Sequence, residues 1–124
     1  MADEPVPDDV RDYILTHIDS IVQLEALLLL RAHPGESWDI VTMARRLYVS
    51  EPEVSDAVGR LVSNGIVSSE QDRFSYRPPP DIRDLIERVA ATYRRHLIPV
   101  TNLIHAKPSR ISQFADAFKF RRDR

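Results

Sequence analysis

Cysteine is absent from the 124 residues. Its absence excludes a disulfide, a thiolate nucleophile and any zinc site built on sulfur. Glycine is scarce too: Gly35, Gly59 and Gly65 are the only ones. They do not form a phosphate-cradling loop or a dinucleotide fingerprint, and the HExxH and GxSxG patterns are missing as well. The histidines His17, His33, His96 and His105 are scattered, and none of them pairs with another at a spacing that gives a tight ligand face on a helix. With no nucleophile, acid–base pair or ligand set in view, the expectation is a non-enzyme without cofactor or metal. Long apolar runs are lacking: the longest strongly apolar one, Ala26 to Leu30, is far too short to span a bilayer. The acidic start has no apolar centre and does not read as a secretory signal. These absences together lead to the expectation of a cytoplasmic protein with no membrane partner.

What is present suits a small globular domain: 43% hydrophobic and 29% charged residues, enough for a core at this length. The formal charge is 17 − 19 = −2, so the whole molecule does not attract DNA by net charge. Charge is uneven along the chain, however. Asp3, Glu4, Asp8, Asp9, Asp12 and Asp19 face only Arg11 in residues 1–20, whereas Lys107, Arg110, Lys119, Arg121, Arg122 and Arg124 outweigh Asp116 and Asp123 in residues 107–124.

Residues 1–7, with Pro5 and Pro7, read as a disordered lead-in. A first helix is expected to start at Asp8 or Asp9, with Val10, Tyr13, Ile14 and His17 on one side. Asp19 is read as the cap of a second helix, Ser20 to Ala32, apolar around most of its girth and therefore central. His33-Pro34-Gly35 ends it. Ser37-Trp38-Asp39 gives a very short strand and a helix start, followed by Ile40, Ala44 and Leu47 at helical spacing. Tyr48-Val49 is the turn into a helix opened by Ser50-Glu51-Pro52-Glu53. There Ser50 and Glu53 can cap each other's N–H, and Pro52 needs no donor. Val54, Ala57, Val58, Leu61 and Val62 form its buried stripe, and Asn64-Gly65 closes it. Ile66 to Glu70 and Phe74 to Arg77 are expected as strands around Gln71-Asp72-Arg73. Pro78-Pro79-Pro80 is a stiff spacer. Asp81 is read as the cap of a long helix over residues 81–106, kinked at Pro99. Ser109 caps a short tail helix carrying Ile111, Phe114, Ala115 and Phe118.

The order helix, helix, helix-turn-helix, hairpin resembles the bacterial winged-helix transcription regulators, in the broad sense that includes the MarR-like group. The residues that carry the resemblance are Leu24 to Leu30, the stretch MARRLYVSEPEVSDAVGRLVSNGIV from Met43 to Val67, and Phe74 to Tyr76. The resemblance implies a mainly α winged helix-turn-helix over residues 8–80: a three-helix core plus a two-stranded β-hairpin wing. The long C-terminal helix and the basic tail, residues 107–124, then follow. It further implies that the second motif helix enters the major groove with the wing beside it. On that basis Ser50, Glu51, Glu53, Ser55, Asp56 and Arg60 would face DNA, with Asp72 and Arg73 at the wing tip.

The exposed chemistry leaves alternatives open. Pro52, Asp56, Gly59 and Ser63 point away from the buried stripe, flanked by Glu53, Ser55 and Arg60. Phosphate neutralisation needs Lys and Arg, and here Glu51, Glu53 and Asp56 oppose one arginine. The face could dock on a protein through Gly59 and the serines, or simply be solvated. Arg45 and Arg46, with Arg73 and Arg77 from the hairpin, could touch phosphate, or pair with nearby acids. Tyr93, Leu97, Val100, Leu103 and Ile104 could pack on a second copy in a two-fold dimer, or be covered by the tail helix folding back. The tail itself could anchor in an acidic groove, lie on phosphate, rest on a membrane surface (the weakest option, with an apolar face of only about two turns), or dock on the core and end in a frayed basic terminus. The leading expectation is a small bacterial transcription regulator that binds double-stranded DNA as a homodimer. The alternative is an adaptor of the same fold that binds a protein partner.

Overall fold

The computed structural model describes residues 6–106. The expected tail helix and most of the expected lead-in lie outside the described residues. Six helices and a hairpin follow in order: α1 Asp8–His17, α2 Ile21–Ala32, α3 Ile40–Leu47, α4 Glu51–Ser63, β1 Val67–Glu70, β2 Arg73–Tyr76, α5 Pro80–Arg95 and α6 Leu97–His105. This is the expected mainly α winged helix-turn-helix.

Helix α2 is the centre. Leu24, Ala26, Leu27 and Leu30 are fully buried, and each leucine contributes about 1.5–3 kcal/mol by leaving water. α4 packs on α2 and α3, and the hairpin follows on from α4. Val54, Ala57, Val58 and Leu61 point inward, as their spacing requires, and Val62 is half-buried. Ser50 caps α4: its Oγ accepts from Glu53 N, and Ser50 N donates to Glu53 Oε1, so both halves of the capping box are closed.

The antiparallel pair β1–β2 runs in the register Val67 to Tyr76 and Glu70 to Arg73. The connection is two residues long, with Gln71 at φ 53° and Asp72 at φ 63°. Arg73 therefore belongs to the strand, although the turn was expected to include it. Two positive φ values in succession give the twist a tight hairpin needs. Trp38 adds a third, one-residue strand. It exchanges two 2.8 Å backbone hydrogen bonds with Phe74.

Four details differ from the sequence reading. Val6, in the supposed lead-in, is buried in the core. Ser20, and not Asp19, caps α2: its Oγ accepts from Gln23 N at 3.1 Å. Asp81 makes no cap, because α5 starts at Pro80 without a side-chain cap bond; a proline is preorganised for the first helical position. The kink expected at Pro99 becomes a full break at His96 (φ −131°, ψ 59°). Pro99 cannot donate to the Arg95 carbonyl, and its ring crowds that oxygen. The chain therefore restarts at Leu97 and places Pro99 in the first turn of α6, where no intrahelical donor is needed.

Candidate recognition surface

Several ties fix α4 and the turn ahead of it. Gln23, fully buried, donates from Nε2 to the His17 carbonyl at 2.7 Å, and its Oε1 accepts from Asp19 N at 2.8 Å. Asn64 Nδ2, at the end of α4, donates to the same carbonyl at 3.1 Å. The end of α1, the start of α2 and the end of α4 are thus held at one oxygen. As a result, Asp19 stands beside α4. Its Oδ2 accepts from Arg60 Nη1 at 2.6 Å, while Arg60 Nε reaches Asp56 Oδ2 at 3.2 Å. Asp56 first, then Asp19, raise the Arg60 pKa above its ordinary value.

The outer face of α4 is open among the described residues. Glu51, Glu53, Ser55, Asp56, Gly59 and Arg60 are all exposed, with the Asp56 side chain at 69%. A Cβ built at Gly59 meets nothing within 4 Å, so no packing inside the chain calls for a glycine. Ser55, Asp56, Gly59, Arg60 and Ser63 join Thr16, His17, Asp19 and Asn64 around a shallow polar cleft of about 380 Å³. The structure therefore brings Ser55, Asp56, Gly59 and Arg60 together at one cleft, while Ser50, Glu51 and Glu53 lie outside it. It also shows that the cation among them is already held by two carboxylates. The Ser50 hydroxyl is engaged as well: it donates to Glu53 Oε1 at 3.0 Å.

The expected arginines divide. Arg73 does not reach past the wing. It folds back, donating from Nε to Ser37 Oγ and from Nη2 to the Ser37 carbonyl, both at 2.8 Å, with Asp39 at 3.7 Å. The tip is left to Gln71 and Asp72. Arg46 lies over the Trp38 ring, 5.3 Å from its centroid. Asp39 caps α3 by accepting from Thr42 N at 2.8 Å. The Thr42 bonds first, then Arg73 and Arg45, hold its carboxyl below the usual range. Arg45 and Arg46 both remain exposed on α3.

Two residues of this surface escaped the sequence reading. Asp19 was read only as a cap, and its bond to Arg60 spans 41 positions, a pairing that no local pattern reveals. Tyr48 was read only as a turn. It ends α3 in the left-handed conformation, φ 60° and ψ 40°, and is 93% exposed. The sequence carries no glycine or asparagine there to announce the left-handed conformation.

The residues expected to pair two copies are largely used within the chain. Val100 and Ile104 are buried, in a helix packed against α1 and α5. Tyr93 is buried too, and its Oη donates to Glu25 Oε2 at 2.7 Å. Leu103 is half-buried. Leu97, 50% exposed, and its neighbour Ile98, 63% exposed, are the large apolar side chains that α6 offers to solvent. No group of three or more ligand-type side chains among the described residues could hold a metal ion. No single described helix is long and apolar enough to cross a membrane.

No protein-family model matches the sequence, and no curated protein matches it. Solved structures do share its fold. A MarR family protein from Bacillus stearothermophilus superposes with a TM-score of 0.51 at 19% identity, over 94% of this chain and 81% of that one. The multiple antibiotic-resistance repressor (MarR) from Listeria monocytogenes 4b F2365 does so with a TM-score of 0.51 at 17% identity, over 94% and 80%. At such identity the likeness establishes the winged-helix fold.

Proposed function

We propose that this chain is a DNA-binding transcription regulator that acts as a dimer, with α4 as its reading helix. The observation that carries the reading is the placement of α4. Its buried stripe locks it on α2 and α3, while its outer face from Glu51 to Arg60 is left uncovered by the described residues. In a helix-turn-helix that face is the one that enters the major groove. The winged-helix neighbours described as MarR proteins agree with it.

The chemistry assigns different tasks to the two motif helices. Arg45 and Arg46 on α3 supply the phosphate contacts, which position the protein without reading sequence. Ser55 and Asp56 on α4 face base edges; a carboxylate accepts from the cytosine N4 amino group. Arg60 reaches phosphate only by leaving Asp19 and Asp56. Such exposed ion pairs hold by about 0.2–1 kcal/mol each, so the exchange is within reach of a phosphate partner. A dimer that reads successive grooves needs its two α4 helices about 34 Å apart, and Leu97 and Ile98 are the large apolar side chains that α6 leaves exposed for a second copy.

Fluorescence anisotropy on labelled duplex between 50 and 200 mM salt tests this. The affinity should fall steeply with salt, with a log–log slope of about −0.9 per phosphate contacted. Replacing Arg45 and Arg46 with alanine should shrink that slope by about 2 per protomer. Absence of duplex binding at low salt would refute the reading. Salt-insensitive capture of a protein instead would move it to an adaptor, for which the acidic character of Glu51, Glu53 and Asp56 speaks.

A further inference from the structure

We infer that Tyr48 is a positioning residue of this surface: its ring and hydroxyl seat the sugar–phosphate backbone of a DNA duplex immediately ahead of α4. The inference rests on the DNA-binding reading above and extends it to a residue that the helix-turn-helix pattern does not require.

Three observations converge on Tyr48. First, its backbone sits at φ 60°, ψ 40°, where the Cβ of an L-residue crowds the following carbonyl and only glycine is unburdened. Second, the side chain gives the fold nothing in return. It is the most exposed of the large apolar side chains on the described surface, at 93%. Among the described residues no ring contact or hydrogen bond of its side chain is found. The left-handed turn closes α3, with Val49 N donating to the Ala44 carbonyl at 3.2 Å, a task glycine performs best; an exposed tyrosine ring adds nothing to that closure and is free for another role. Third, Tyr48 has suitable company. Val41, Arg45 and Tyr48 are spaced four and then three apart, so they share the outer side of α3 and its end. Val41 is 44% exposed and Arg45 is exposed. The patch therefore combines an aliphatic surface, a cation and an amphipathic ring with a free hydroxyl.

A phosphodiester backbone matches that combination. Arg45 neutralises a phosphate, the ring covers the apolar edge of a deoxyribose, and the tyrosine O–H donates to a phosphate oxygen, a recognised use of Tyr in protein–DNA contacts. A base edge fits less well, because Tyr48 stands in the turn before α4 and not on its outer face.

The test uses the full chain and a labelled mixed-sequence duplex, with thermal melts run on the same samples. Tyr48→Gly removes the strained Cβ and should raise Tm while weakening duplex binding about tenfold, the scale of one well-made contact. Tyr48→Phe keeps the ring and should lose about threefold, the share of a single neutral hydrogen bond. Neither should change the salt slope, whereas Arg45→Ala should reduce it by about 1. Wild-type binding retained in full by Tyr48→Gly would overturn the inference and leave the DNA reading intact. A fall in Tm for Tyr48→Gly would show a structural anchor and overturn it too. Failure of the wild-type chain to bind duplex at low salt would remove the DNA reading itself, and the role of Tyr48 with it.

Discussion

At the scale of single residues, Gly59 and Tyr48 are mirror cases. Tyr48 is a large side chain where the backbone favours glycine, and Gly59 is a glycine where the backbone favours a side chain. Gly59 lies inside α4, with a negative φ and open space around a would-be Cβ. Helical glycine is less favourable than alanine by about 0.8–1 kcal/mol. Gly59→Ala should therefore stabilise the chain by about that amount, read as a raised urea midpoint at unchanged m-value. A neutral or destabilising result would show that α4 is distorted at this point. The same variant also reports on close approach: if a partner's backbone needs the missing Cβ, the stabilised protein should bind it more weakly.

Individual helices and strands differed widely in how much of them the sequence disclosed. The start of α4 was fully legible because the capping box, Pro52 and the Val54–Leu61 stripe all concern neighbours within one or two turns. The α2 start lies one position later than the sequence suggests, because Asp19 and Ser20 are both good caps. What decided between them was Gln23, whose amide is drawn to the His17 carbonyl while Asp19 turns to Arg60. The α5–α6 break lies three residues ahead of Pro99, since the consequence of a proline falls on the carbonyl four positions before it. The wing was legible as a hairpin and not as to its turn length. Gln71 and Asp72 carry no glycine to announce two positive φ values. This last point is testable. Gln71→Asn with Asp72→Gly supplies the residues that a two-residue turn of this kind favours. The double variant should gain about 1 kcal/mol, seen as a higher Tm with Trp38 and Phe74 amide protons exchanging more slowly. An unchanged melt would mean that the strand pairing with Trp38, and not the turn, limits the wing.

At the scale of the whole molecule, the sequence showed that residues 81–106 form an apolar stripe but not what covers it, because covering is a long-range matter. Asp9 and Arg88 pair between α1 and α5, Arg31 and Glu87 make a two-pronged contact between α2 and α5 at 2.6 and 2.9 Å, and Tyr93 meets Glu25. These ties draw α5 onto the domain, so much of the stripe is spent internally. Three tyrosines lie in this assembled region: Tyr13 on α1, Tyr76 on β2 and Tyr93 on α5. Burial pushes Tyr13 up to about 12, with Tyr76 nearby adding to it. Burial and then Glu87 raise Tyr76, and burial and then the Glu25 bond raise Tyr93. In the unfolded chain each titrates near 10. Below that value both states hold the proton, and the folded state keeps its full advantage. Above it the unfolded chain releases protons that the folded one retains, so stability must fall as pH rises from about 10 through 12. Tyr13→Phe isolates the effect, because the Tyr13 Oη is buried without a hydrogen-bond partner among the described residues and its removal leaves nothing unpaired. The variant should match or exceed wild-type stability at pH 8 and lose less of it by pH 12, in denaturant melts taken across that range. An alkaline loss equal to that of the wild type would mean that Tyr13 reaches water in the folded chain and that α1 sits less tightly on the domain than its buried face requires.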